Sequence, residues 1–282
     1  MIVTGDDFGA DVAVNEAVER AHRQGILNTA SLMVGAPAAQ DAVERARRLP
    51  SLRVGLHLAL VRSRPVLAPE RIPDLVGPDG AFSDNLVGSG IRFFVLPKVR
   101  RQLKAEIRAQ FERFHATGLT LDHVNAHHHM QLHPTVLGLI VAIGRDFGLR
   151  AVRLPHEPFG PSWRAARSDF SRRLANDMLL RPLLGMHRRR LARAGIAAND
   201  YMFGMNDSGR MDRERLLGFL ANLPDGVSEL CCHPATGPWP GMESAAPRHG
   251  ADECAALTDA TVASALSRCG IEPVTFGALA KR

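Results

Sequence analysis

Short apolar runs and helical stretches take turns along this chain of 282 residues, and that alternation limits the fold more than any single motif. Ile2–Thr4, Ile26–Gly35, Arg53–Leu60 and Leu119–Ala126 read as strands. So do Arg150–Pro155, Asp200–Gly204, Val227–Cys232 and Pro273–Phe276. Between them Val12–Gln24, Ala38–Arg48, Pro97–Thr117, Pro134–Phe147, Arg210–Leu223 and Asp252–Cys269 have helical spacing. Such an order implies a mainly parallel sheet with crossover helices. Seven or eight strands over this length predict one α/β domain, residues 1–282, built as a distorted, TIM-like (β/α) barrel. An open doubly wound sheet is the alternative. No G-x-G-x-x-G follows the first strand, so a dinucleotide fold loses support. Residues 61–96, rich in Pro and Gly, and residues 156–199 read as excursions from the barrel, and 236–250 as a further loop.

In a parallel barrel the C-terminal strand ends open on one face, where ligands and metals bind. What those ends carry therefore matters. The fourth strand runs into Asn125–Pro134, N-A-H-H-H-M-Q-L-H-P, with His127, His128, His129 and His133 inside seven residues. Neutral imidazole is the commonest protein metal ligand. The first strand delivers Asp6 and Asp7, the third His57, the fifth Arg153 and the late strand His233. Two histidines and one carboxylate make a hydrolytic metal site with positions left for water and substrate. Each residue also has a plainer reading. Asp6-Asp7 can cap the helix at Val12, His57 can be a core histidine, Arg153 a surface charge and His233 a structural hydrogen-bonder. Adjacent aspartates in a regular strand point to opposite faces, so both can serve one centre only if the strand is irregular near Phe8-Gly9.

The charge balance is +6. Nine arginines fall in Trp163–Arg193 against Asp169 and Asp177, with leucines interleaved. A solvated helix face is the plain reading, and peripheral contact with an anionic membrane the functional one. A single tyrosine and the lack of basic–aromatic interleaving argue against nucleic acid. Cys231, Cys232, Cys254 and Cys269 form no C-x-x-C pair and read as reduced thiols of a cytoplasmic protein. Met1 leads directly into Ile-Val-Thr-Gly-Asp-Asp, so no secretory leader is expected, and no apolar run reaches the roughly 18 residues of a spanning helix.

Taken together, TGDDFG, VGLHLAL, DHVNAHHHMQLHP, RLP and CHP resemble the YdjC-like carbohydrate deacetylases, from Ile2 to about Phe276. The phrases VNEAVERAHRQGIL, ASLMVGAPAA, RRQLKAEIRAQFERF and HPTVLGLI are most similar to the hopanoid-biosynthesis-associated branch. The resemblance implies a distorted (β/α) barrel, one divalent metal ion, zinc or magnesium, and removal of N-acetyl groups from amino sugars or a glycolipid. It implies Asp7, His57 and His127 as ligands and Asp6 as general base. His233 is then the candidate proton donor, and Arg153 orients Asp6 or holds its pKa down. His128 stands where the nearest relatives are expected to carry lysine, and Gly5 where the family usually has alanine. An N-acetylglucosaminyl hopanoid is the substrate the branch implies. The competing reading is a phosphoesterase on the same barrel, which more often needs two bridged metals.

Overall fold

The computed structural model describes residues 1–239 and 249–281. It has six strands, β1 (Ile2–Phe8), β2 (Thr29–Leu32), β3 (Arg53–Leu58), β4 (Val124–Ala126), β5 (Tyr201–Phe203) and β6 (Ser228–Cys232). All pairs are parallel, in the order β4-β3-β2-β1-β6-β5. The first strand is therefore central, and the ends of β1, β3, β4 and β6 open on one side. Every residue of β1, β2, β4 and β6 is buried, as expected for parallel strands covered on both faces.

The helices in the first half are α1 (Val12–Gln24), α2 (Ala39–Arg47), α3 (Leu86–Val95), α4 (Pro97–Ala116) and α5 (Pro134–Gly144). The second half adds α6 (Phe159–Ala166), α7 (Phe170–Arg193), α8 (Arg213–Leu220), α9 (Gly250–Leu257), α10 (Ala260–Arg268) and α11 (Phe276–Leu279). Their boundaries follow local chemistry. Asp11 caps α1 by accepting from the Ala13 N–H, so that task does not fall to Asp6 or Asp7. Pro134 opens α5, where its missing N–H leaves nothing unsatisfied. Asp259 caps α10 through the Thr261 and Val262 N–H groups, which splits the helix expected over Asp252–Cys269 in two.

The sheet is a curled half-barrel, consistent with the expected distorted barrel but short of a full TIM barrel. Two predicted strands account for the difference. Arg150–Pro155 contributes only single parallel bridges, Val124 with Val152 and Ala151 with Ala197. Further pairing stops because the buried Asn199 side chain takes the ladder's place. Its Oδ1 accepts from the Leu154 N–H at 2.8 Å and its Nδ2 donates to the Leu154 carbonyl at 2.9 Å. Pro273–Phe276 is not a strand; the Val274 N–H reaches the Met1 carbonyl, and α11 begins at Phe276. The 61–96 excursion is also more ordered than its composition predicts, since it contains α3. The predicted loop 236–250 lies mostly outside the described residues. Among the described residues no helix is long and apolar enough to cross a membrane.

Candidate metal and catalytic centre

The centre is built on an irregularity in β1. Its pairing with β2 slips between Gly5 and Phe8, and Asp7 has φ of 60°. Left-handed backbone in a non-glycine residue is uncommon and costs about 1–3 kcal/mol. The result is that Asp6 and Asp7, neighbours in a strand, both line one small cavity with His233 and Trp239. The irregularity begins at Asp7 and runs through the expected Phe8-Gly9, where Gly9 has φ of 96° and the Ala10 N–H donates to the Asp7 carbonyl at 2.9 Å.

Asp7 Oδ1 lies 3.0 Å from His127 Nδ1 and 3.4 Å from His57 Nε2. All three side chains are buried, and their ligand atoms lie within 4.8 Å of one another. The two rings meet edge to face, centroids 5.6 Å apart. His57 comes from β3 and His127 from the residue after β4, strands that pair directly.

The tautomer of His57 follows from its neighbour. Its Nδ1 is 2.7 Å from Asn125 Oδ1, while the Asn125 amide donates to Asp6 Oδ1 at 3.1 Å and Ser31 Oγ at 2.9 Å. Asn125 must therefore accept from the ring, so Nδ1 carries hydrogen and the Nε2 lone pair of neutral His57 faces the Asp7 carboxylate. Two lone pairs converging in a buried site call for a cation between them. Burial alone would push the His57 imidazole down, but the Asp6 and Asp7 charges raise it above its ordinary value. Burial alone would raise the Asp7 carboxyl, yet His127 and His57 hold it well below the carboxylate range. A carboxylate and two imidazoles of this kind fit a divalent ion such as zinc or another transition metal, and leave coordination positions open.

Arg153 is not a surface charge. It is fully buried and grips two carboxylates. Nη1 donates to Asp6 Oδ2 at 2.5 Å and Nη2 to Asp6 Oδ1 at 3.0 Å. Nε and Nη2 donate to Glu229, which also accepts from Thr4 Oγ1 at 2.6 Å. Burial would raise the Asp6 carboxyl, but the Arg153 guanidinium outweighs it and holds Asp6 well below the usual range. The Cys231 thiol also donates to Asp6 Oδ2, at 3.2 Å. Asp6, Cys231 and His233 lie close enough to suggest a second ion site, but Arg153 already occupies both Asp6 oxygens. The His233 N–H donates to Glu253 Oε2, which fixes the backbone beside the cavity.

The histidine run divides its work. His127 joins the cluster; His128 packs its ring on His127 at 4.4 Å. His128 and His129 are both left-handed, φ 52° and 54°. Desolvation and the Arg153 charge push His129 down to about 3, so its ring is neutral. His133 caps α5 at the Thr135 N–H and packs against Phe93 and Phe94. Of the six candidate site residues, Asp6, Asp7 and His233 line the cavity, His57 and His127 meet Asp7, and Arg153 lies buried against Asp6. Asn125, Ser31, Glu229 and Cys231 were not singled out. Glu229 had a signal, an acid inside the apolar run VSELCC, and Asn125 stood in the histidine stretch itself.

This curled parallel sheet, with an acid and two histidines at its strand ends, defines a class. The chain belongs to the YdjC-like protein family, whose sequence model matches residues 1–268. A Geobacillus stearothermophilus protein named carbohydrate deacetylase is 28% identical over 280 residues, 98% of this chain and 96% of that one. A Vibrio cholerae protein of the same name, from strain O395, is 32% identical over 193 residues, covering 67% of this chain and 73% of its own length. A solved Enterococcus faecalis V583 structure, described as a candidate cellobiose-phosphate cleavage protein, superimposes with a TM-score of 0.74 at 23% identity. It covers 98% of this chain and 96% of its own, and supports the fold.

Proposed function

We propose that this chain is a metal-dependent carbohydrate N-deacetylase, hydrolysing the acetamide of an amino sugar to a free amine and acetate. The carrying observation is the meeting of Asp7, His57 and His127, with the His57 tautomer set by Asn125 so that its lone pair faces the carboxylate. Family membership and the names of the relatives point to the same chemistry.

Asp7, His57 and His127 would hold one divalent ion, zinc or magnesium, which when bound polarises the amide carbonyl and acidifies water. The remaining work belongs to the chain. Asp6 stays ionised because Arg153 stabilises the carboxylate, and so it is ready to accept the attacking water's proton. Arg153 also fixes the orientation of both Asp6 oxygens. His233 lines the same cavity and is the proton donor on this reading, since the departing amine leaves poorly without a proton. A phosphoesterase working with two ions would need a second set of free ligands, and Arg153 holds the nearest candidate, Asp6.

The finer reading comes from sequence resemblance to the hopanoid-associated branch: an N-acetylglucosaminyl hopanoid as substrate, acted on by a cytoplasmic enzyme peripheral to the inner membrane. Trp163–Arg193, with Met178 and Leu179 exposed beside Arg181, is the membrane-contact segment on that reading. Acetate release from an N-acetylglucosaminyl lipid and from diacetylchitobiose, with and without chelator, tests both levels. Chelator-sensitive release from either sugar supports the deacetylase, and preference for the lipid supports the branch. Release from neither, with the metal loaded, overturns the function.

A further inference from the structure

Helix α3 has an outward face that the rest of the chain does not explain. Its inner side is ordinary: Ser89 and Phe93 are buried against the body of the protein. Its outer side should be polar. Instead Val87, Ile91, Phe94 and Val95, one stripe at helical spacing, are 73%, 60%, 61% and 59% exposed, and Leu96 follows at 43%. These five make up half of the large exposed apolar side chains among the described residues, so the patch is not the usual scatter.

The charge around the stripe is predominantly positive. From Ser83 to Lys104 five cations, Arg92, Lys98, Arg100, Arg101 and Lys104, stand against the single carboxylate Asp84. Lys98 pairs with Asp74, Arg92 donates to the Asp74 carbonyl and Arg100 to the Phe94 carbonyl. Arg101 and Lys104, both exposed in the first turns of α4, have no carboxylate partner among the described residues. An apolar stripe with a cationic border suits an apolar occupant that is negatively charged at its edge. A second copy docked two-fold through this face fails that test, because it would press two cationic borders together. An anionic bilayer meets it, with the stripe among the acyl chains and the guanidinium and ammonium groups at the phosphates.

The position of the stripe gives this contact a use. Phe93 and Phe94 pack on His133 with ring centroids 6.1 and 6.3 Å away, and His133 ends the turn that starts at His127. Helix α7 holds the same turn from another element, through His187 to the Leu132 carbonyl at 2.7 Å. We propose that α3 is a membrane-docking helix which seats Val87, Ile91, Phe94 and Val95 in an anionic bilayer surface and thereby sets the mouth of the histidine site against that surface. The docking does not depend on the deacetylase reading, since it is measured without turnover.

The test is co-sedimentation of the full chain with phosphatidylglycerol-rich vesicles and with phosphatidylcholine vesicles. The wild type should bind the former in a salt-sensitive manner and the latter weakly. Val87→Asp with Ile91→Asp should weaken binding about tenfold or more, and Arg101→Glu with Lys104→Glu should do likewise on anionic vesicles. Circular dichroism and thermal melting of both variants should match the wild type; if the aspartates disturb folding, Val87→Ser with Ile91→Ser reads the same loss. His57→Ala should bind vesicles as the wild type does, so a failed deacetylase assay leaves this result standing. The proposal is overturned if the wild type ignores anionic vesicles, or if the stripe variants bind them unchanged. It is equally overturned if sedimentation shows a dimer that the stripe variants dissolve, which would make the face a contact between copies.

Discussion

His57 donates its Nδ1 hydrogen to Asn125 Oδ1 over 2.7 Å, and that bond fixes which ring nitrogen meets Asp7. Asn125 is itself oriented by the two bonds its amide donates, to Asp6 and to Ser31. Outer partners of this kind set ligand orientation and basicity. Asn125→Ala should keep the fold and lower metal affinity about 10- to 100-fold. Competition with a chromophoric chelator measures it; an affinity equal to wild type would remove Asn125 from the account.

Arg153 is the counter-charge of two buried carboxylates, Asp6 and Glu229. Arg153→Met leaves both acids buried without it and should cost about 3–5 kcal/mol at neutral pH. Urea unfolding reads this directly, and a loss within error of zero would contradict it.

The same pair predicts a pH dependence. Asp6 has its folded pKa held well below the ordinary 3.8. A depressed carboxylate contributes stability above its unfolded pKa and loses it as pH falls towards the folded one. Wild-type stability, measured with chelator so that metal plays no part, should therefore drop as pH is lowered through about 4 and below. In Arg153→Met the Asp6 carboxyl loses its partner, and acidification should recover part of the neutral-pH deficit. Parallel pH profiles for the two proteins would be incompatible with this pairing.

Gly25 tests packing away from the centre. A Cβ there would lie 2.0 Å from the Leu257 carbonyl oxygen, a backbone atom that cannot swing aside. Gly25 also ends α1, and the Ile26 N–H bonds to that same carbonyl at 3.0 Å. Gly25→Ala should destabilise by roughly 1–3 kcal/mol. A denaturation midpoint unchanged from wild type would mean that α1 and α9 stand further apart than described.

The sequence made the repeating strand–helix order legible because apolar runs and helical periodicity are local properties. The prediction for Val12–Gln24 agrees to the residue, and β3, β4 and β6 fall inside their predicted runs. The strand count was not legible. Whether Arg150–Pro155 pairs along its length depends on Asn199, more than forty residues away, which satisfies Leu154 with a side chain instead of a strand. The centre followed the same division. Asp6, Asp7, His57, His127, Arg153 and His233 could be found because each stands at a predicted strand end. Two adjacent aspartates pointed to an irregular strand near Phe8-Gly9, but not to its start at Asp7, and the partners of Arg153 left no local signal. An arginine's burial is visible only once Asp6 and Glu229 are placed around it.

The central claim concerns one ion held by three residues from distant parts of the chain, and metal content per chain tests it most directly. Protein loaded with zinc or magnesium and dialysed should hold one equivalent by elemental analysis, and His57→Ala with His127→Ala should hold none while melting as a folded protein. Two equivalents in the wild type, or one retained in the double variant, would contradict the account.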